Sequence, residues 1–521
     1  MPIARDLDVA SRRDYDLIVV GGGIYGVMLA LEATLRDCSV LLLEKEDFGG
    51  ATSYNSLRII HGGLRDLKTF DLRRYWRFGR ERRWFLDHFP HLVERLPVLV
   101  PLYQRGLMRT EVFRLAFWVD RLLLPRRDRR GEGGRHIPYG QVLSPSEVKQ
   151  RFPAVDEEHL AGGALWYDAR VPDSQRLIME VLRSACRMGA TALNYTTAVD
   201  LLTDRGRVAG VQARDHRAGT SYRFRADRVV NAAGPWSPEV ARSFDQELAD
   251  FGGFLSAWNV LFDRETPTDC AVGAAPPESG NRHYFLHPWK GRLLMGTGHA
   301  TREGSDTSPR PTPDEMDAFL DELNKAFPAL GLSRREVLNV YSGALPVKQE
   351  EATTLAKTDR WIDHAKHGGP EGLFSVQGTK FTAARSTAER GVARIFPKRA
   401  VSEEKRSVFR SCRTGQSTPR GIFDYHWEPA SDDLTGWESL VKIVQEEAVV
   451  HLDDLILRRT SLGDNPARAL QVAPQLCDLF DWGPGRCQKE VRRVAEHFSH
   501  VRNRSESNAD VSTHDIPPPH E

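Results

Sequence analysis

A short apolar run that ends in three glycines restricts this chain more than any other feature. Tyr15 to Val20 leads into Gly21-Gly22-Gly23-Ile24-Tyr25-Gly26, and the pattern then turns helical from Val27 to Arg36. Strand, tight turn and helix in that order open a parallel α/β nucleotide-binding sheet. The glycines have separate jobs: Gly21 makes the turn, Gly23 lets the backbone approach a pyrophosphate, and Gly26 with Ala30 lets the helix pack closely on the sheet. The helix N-terminus then offers unpaired N–H groups to phosphates. A second apolar run, Ser39 to Leu43, ends in Glu44, 18 residues past Gly26, where a carboxylate can accept hydrogen bonds from an adenosine ribose. Together these predict an α/β, Rossmann-like domain that binds a dinucleotide.

Composition narrows the class. At 521 residues the chain has room for two or three domains and an enclosed ligand. With 72 Lys+Arg against 71 Asp+Glu, the formal net charge of +1 argues against a nucleic-acid partner. No apolar run is long enough for a membrane span. The cysteines Cys38, Cys186, Cys270, Cys412, Cys477 and Cys487 form no C-x-x-C pair and no ligand-like spacing with histidine. They are read as reduced thiols of a cytoplasmic protein, with no metal site.

Phe48 to Arg65 reads FGGATSYNSLRIIHGGLR, and this stretch resembles the run that lies along the flavin in FAD-linked glycerol-3-phosphate dehydrogenases. Val229-Val230-Asn231-Ala232-Ala233-Gly234-Pro235-Trp236 is similar to that family's second FAD segment. Phe374 to Thr382, with Arg385 and Ala388 beyond it, resembles the turn that caps the flavin ring. Trp166 to Asp173 also matches the family order, and Glu446 to Leu462 resembles its C-terminal helical cap.

The resemblance implies FAD as cofactor, held by Gly21, Gly23, Gly26, Glu44, Lys45, Thr52, Ser53, Ser56, His61, Gly62, Ala233, Gly234, Trp236, Gly378, Lys380, Phe381 and Thr382. It implies a glutathione-reductase/DAO type FAD-binding domain, an interleaved antiparallel-sheet substrate domain and a C-terminal helical cap. The expected layout is a flexible N-terminus (1–14), a mainly FAD-binding region (15–249) with an insertion near 105–165, and a mainly substrate region (250–345). A return to the FAD domain (346–398), a helical C-terminal region (399–499) and a disordered tail (500–521) complete it.

In the substrate pocket the family pattern is half kept. Arg65 and Arg282 match family arginines, but Asp66 replaces a tyrosine, Leu345 an arginine, and Asn259 the histidine of a K-G-S-H stretch, while the G-T-T-D turn reads Gly296-Thr297-Gly298-His299. Losing a charged hydrogen bond costs about 1.5–3 kcal/mol, so these changes disfavour a phosphate dianion. The expected substrate is a modified polyol, sugar or amino alcohol bound by Arg65, Asp66, Asn259, Arg282, Leu345 and Lys380. Glycerol 3-phosphate itself, or an amine or alcohol oxidised with oxygen as acceptor, is the alternative. Hydride transfer to flavin N5 would be assisted by Arg282, which polarises the reacting oxygen, by Arg65, and by a histidine base: His299, then His283, then His287. The electron acceptor, a quinone, another carrier or oxygen, stays open, as does the oligomeric state. The stretch 113–130, apolar and then rich in arginine, reads either as a core helix with a solvated loop or as a peripheral contact on the inner face of a membrane.

Overall fold

The structure is a computed structural model, and it describes residues 2–64, 71–104, 108–123, 137–244, 251, 253–276, 283–302, 309–348, 351–412 and 436–502. Leu17–Val20 and Val40–Leu43 are buried along their whole length, as strands covered on both faces must be. They pair in parallel, and Leu17–Val20 also pairs in parallel with Val229–Asn231. Across the sheet the order is Arg360–Asp363, Leu373–Gln377, Val229–Asn231, Leu17–Val20, Val40–Leu43, Thr191–Leu193. Three strands far apart in sequence thus end side by side, and the turns after Val20, Asn231 and Gln377 open at one edge of the sheet.

Helices Ile24–Thr34, Ser174–Arg187 and Ala384–Ile395 pack against this sheet and share one core, in which Val27, Leu31, Leu177, Leu182 and Val392 are fully buried. Within it Arg385 is locked by ion pairs to Glu81 and Glu32. Its place on the helix after Lys380 therefore ties that helix to Ile24–Thr34 and Leu72–His88, and Arg385 does not line the cavity described below. A smaller sheet, Asp14–Tyr15, Ser221–Ala226, Arg207–Asp215 and Thr196–Asp204, lies beside the parallel one.

The second large sheet is mainly antiparallel and draws on more of the chain than residues 250–345. Its order is Glu351–Leu355, Val337–Lys348, Phe254–Glu265, Arg292–Thr301, Tyr284–Trp289, Ala271–Ala274, Glu94–Leu102, Gly162–Arg170 and Ile59–Ile60. Helix Pro313–Ala326, opened by a Thr312/Glu315 capping box, covers one face with Met316, Phe319 and Leu323. The C-terminal helices Trp437–Glu446, Pro466–Leu476 and Pro484–Arg502 have their own core around Leu455, Val472 and Phe498.

One cysteine expectation is corrected. Cys477 and Cys487 form a disulfide, because the turn between the last two helices brings their Cα atoms to 5.9 Å, within bridging range. A spacing of ten residues carries no such signal by itself. Cys38, Cys186 and Cys270 are free and buried. Among the described residues no helix is long and apolar enough to cross a membrane.

Candidate active site

A cavity of about 1250 Å³ runs from the glycine turn, along 50–63, to the wall of the second sheet. Its first end is shaped by backbone. Gly21 has φ +109°, and a Cβ there would fall 2.6 Å from the Ala232 carbonyl oxygen. At Gly26 a Cβ would fall 1.8 Å from the Gly21 carbonyl oxygen, so the turn and the helix can interlock only as glycines. Gly23 caps the helix without any side-chain bond, and the Ile24 N–H donates to Ser53 Oγ (3.0 Å). The Glu44 carboxylate accepts from Gly22 N (2.6 Å) and Glu46 N (3.0 Å). Burial raises its pKa in spite of those two donors. Opposite, Lys45 Nζ sits 3.9 Å from the centre of the Trp236 ring. Small residues, a helix start and a half-buried acid beside an elongated cavity fit a dinucleotide.

Midway, Thr52 Oγ1 donates to the Ala344 carbonyl and accepts from the Ala344 N–H, both at 3.0 Å. One hydroxyl therefore stitches the 48–65 run to the strand Val337–Lys348. Next come His61 and Gly62. His61 N–H donates to Thr382 Oγ1 (3.1 Å), His61 Nδ1 lies 3.3 Å from Asp168 Oδ2, and Gly62 N–H donates to Asp168 Oδ1 (2.8 Å). Burial pushes the Asp168 carboxyl upward, yet His61, the nearby Arg82 and the Gly62 N–H outweigh it and hold the pKa below the usual carboxylate value. A Cβ at Gly62 would fall 2.2 Å from Arg82 Nη1, so a side chain there must push that guanidinium aside.

At the far end Tyr25 pins the turn after Gln377. Its hydroxyl bonds to Asp359 Oδ1 and the Lys380 carbonyl, both at 2.9 Å, while Thr379 N–H also donates to Asp359 Oδ1 (2.9 Å). A Cβ at Gly378 would fall 2.0 Å from the Tyr25 ring. The facing wall is side-chain chemistry: strand alternation turns Ala257 and Asn259 to the cavity and Trp258 into the core against Phe319. Asn259 Oδ1 accepts from Thr297 Oγ1 (3.0 Å), and Thr297, His299, Leu345, Lys357 and Lys380 line the same space.

Of the expected cofactor residues, all but Gly26 and Gly62 line the cavity. Asn259, His299 and Leu345 line it as well. Arg65, Asp66 and Arg282 lie outside the described residues. His283 stands just before the strand Tyr284–Trp289 and does not line the cavity. His287 is no base: it is fully buried, its Nδ1 lies 2.9 Å from the Leu57 carbonyl, and burial pushes its pKa down to about 3. Sequence reasoning missed Tyr25, Asp168, Asp359 and Lys357. The one available signal was Asp168, an acid in a strand whose neighbours are buried and mostly apolar.

A parallel sheet carrying a dinucleotide turn, and a second sheet closing the same cavity, define a flavin-dependent oxidoreductase. The chain belongs to the FAD dependent oxidoreductase (DAO) family, whose model matches residues 16–391, with FAD as its cofactor. It is 31% identical over 398 residues to the glycerol-3-phosphate dehydrogenase of Synechocystis, covering 74% of this chain and 70% of that protein. The glycerol-3-phosphate dehydrogenase of Bacillus halodurans, solved with FAD, superposes with TM-score 0.69 at 22% identity, over 95% of this chain and 96% of that one. The FAD-bound L-alpha-glycerophosphate oxidase of Mycoplasma pneumoniae has the same fold, with TM-score 0.54 at 16% identity over 74% of this chain and 96% of that one.

Proposed function

We propose that the chain oxidises a small alcohol, with His61 as the base that takes the hydroxyl proton. The observation that carries this is the His61–Asp168 pair at the cavity wall. With Nδ1–H directed at an anionic Asp168, Nε2 is the acceptor, and the carboxylate stabilises the imidazolium that forms. FAD, when bound, supplies the hydride acceptor. Lys380, at the start of the turn that leads into helix Ala384–Ile395, places positive charge at that end of the cavity. His299, first choice from sequence, is assigned to substrate binding.

The substrate we infer is a polyol, sugar or amino alcohol without a phosphate, because Leu345 and Asn259, two departures from the family pattern, line the wall. A second reading, sn-glycerol 3-phosphate, is favoured by Lys357 and Lys380, which line the same cavity. Anaerobic bleaching of the bound flavin by glycerol 3-phosphate, glycerol, sugars and amino alcohols decides between them. Faster bleaching by glycerol 3-phosphate than by every other compound supports the second reading.

The acceptor we infer is a membrane quinone. Helix Thr110–Leu123 exposes Leu115, Trp118 and Leu122 along one face, and the sequence continues with Arg126, Arg127, Arg129 and Arg130. An apolar stripe followed by cations suits an anionic lipid surface. Co-sedimentation with anionic but not neutral vesicles is the expected result. Rapid hydrogen peroxide formation, with no binding to vesicles, points instead to oxygen.

A further inference from the structure

Beneath the cavity the C-terminal helical region reaches into the second sheet through one carboxylate. Asp464 is 1% exposed and does not line the cavity. Its Oδ1 accepts from the Tyr341 hydroxyl (2.9 Å) and Arg58 Nη2 (3.3 Å), and its Oδ2 accepts from Lys290 Nζ (3.0 Å). Lys290 Nζ also donates to Asp173 Oδ1 (2.6 Å), so two cations and two carboxylates close a balanced buried quartet. Arg58 is bonded further to Gln175 Oε1 and the Pro172 carbonyl, both at 3.0 Å, and lies 4.6 Å from the Trp289 ring and 4.9 Å from the Tyr341 ring. Alongside, Asn339 Nδ2 donates to the Gly463 carbonyl (3.3 Å).

Two of the three partners of Asp464, Arg58 and Tyr341, lead to the cavity. Arg58 lines it and belongs to the 48–65 run. Tyr341 lies on the strand whose Gly343, Ala344 and Leu345 form the substrate wall, and Thr52 stitches that strand to the run. The neighbouring stretch 47–50 has separate ties to the C-terminal region, Arg459 to Asp47 and Arg458 to the Gly50 carbonyl (3.1 Å). Removing Asp464 therefore loosens 52–58 and the substrate strand while leaving 47–50 held.

We propose that Asp464 is a positioning residue, which sets the substrate strand and the 52–58 run against the bound cofactor from outside the cavity. The inference rests on the flavoenzyme reading and on no particular substrate. Losing a charged hydrogen bond in a buried network costs enough to be visible in ligand affinity.

The test uses the full-length FAD-loaded protein and two variants, Asp464→Asn and Tyr341→Phe. Visible circular dichroism of the bound flavin and the rate of FAD release on dilution are measured beside thermal unfolding. Asp464→Asn is expected to change the flavin dichroism and speed FAD release roughly tenfold, the factor that matches one charged hydrogen bond. Tyr341→Phe keeps the ring and should shift both in the same direction by less, so it decides alone if Asp464→Asn does not fold. Parental dichroism and release in the folded variants, whatever the loss in unfolding temperature, would reduce Asp464 to a structural residue. Arg493→Ala, which removes an exposed ion pair to Asp453 in the same region, should leave both readouts parental. An equal effect there would assign the change to the helical region as a whole and overturn the proposal.

Discussion

The two ends of the cavity are built in different ways. At the glycine turn the contacts come from backbone and from missing side chains: Gly21 and Gly26 exist because a Cβ would strike a carbonyl at 2.6 and 1.8 Å. At the opposite wall the contacts are side chains from strands far apart in sequence, with Asn259 bonded to Thr297 and with Leu345 and Lys357 also lining the cavity. The backbone end, on the proposed reading, would recognise what every FAD shares, and its steric constraints tolerate almost no change. The side-chain end can be altered residue by residue while the sheet keeps its register.

That contrast is easiest to break at its rigid end. Gly21→Val places a β-branched residue at φ +109° and into the Ala232 carbonyl, so the protein should purify without FAD, read from the flavin absorbance. Full FAD occupancy would show that the turn is not the cofactor site. At the adaptable end Leu345→Arg should leave FAD bound and raise the rate of flavin reduction by glycerol 3-phosphate, by about tenfold if one charged hydrogen bond is regained. An unchanged rate would place the specificity elsewhere on the wall.

How legible each end was follows from the same physics. The glycine turn and its acid are contiguous, and the steric reasons for glycine act over a few residues, so 21–26 and Glu44 could be read directly. Asp168 could not, because its bond to His61 joins positions 107 apart and depends on the strand register of Gly162–Arg170 with Ile59–Ile60. Tyr25 and Asp359 meet across 334 positions, and nothing local in either marks the contact. His287 looked like a candidate base because sequence cannot show burial. The antiparallel sheet likewise takes in Glu94–Leu102 and Gly162–Arg170, whose patterns do not say which sheet they join.

A smaller effect checks that reassignment of His287. Its pKa is about 3 in the folded protein against about 6.5 in an unfolded chain, so the unfolded state takes up the extra proton between these values. The stability it confers is complete above pH 6.5 or so and is lost as pH falls toward 3. The difference in unfolding temperature between the parent and His287→Gln should therefore shrink from about pH 7 to about pH 4. A constant difference would mean that His287 titrates normally.

The most direct measurement of the proposed chemistry is anaerobic stopped-flow reduction of the bound flavin in the parent and in His61→Gln, with the fastest alcohol found in the screen. Because the reaction ends at the reduced cofactor, no electron acceptor limits the rate. The expected result is FAD content at the parental level and a reduction rate lower by roughly 10²-fold or more, the usual contribution of a positioned base. Reduction of His61→Gln at the parental rate would contradict the assignment of His61 as the base.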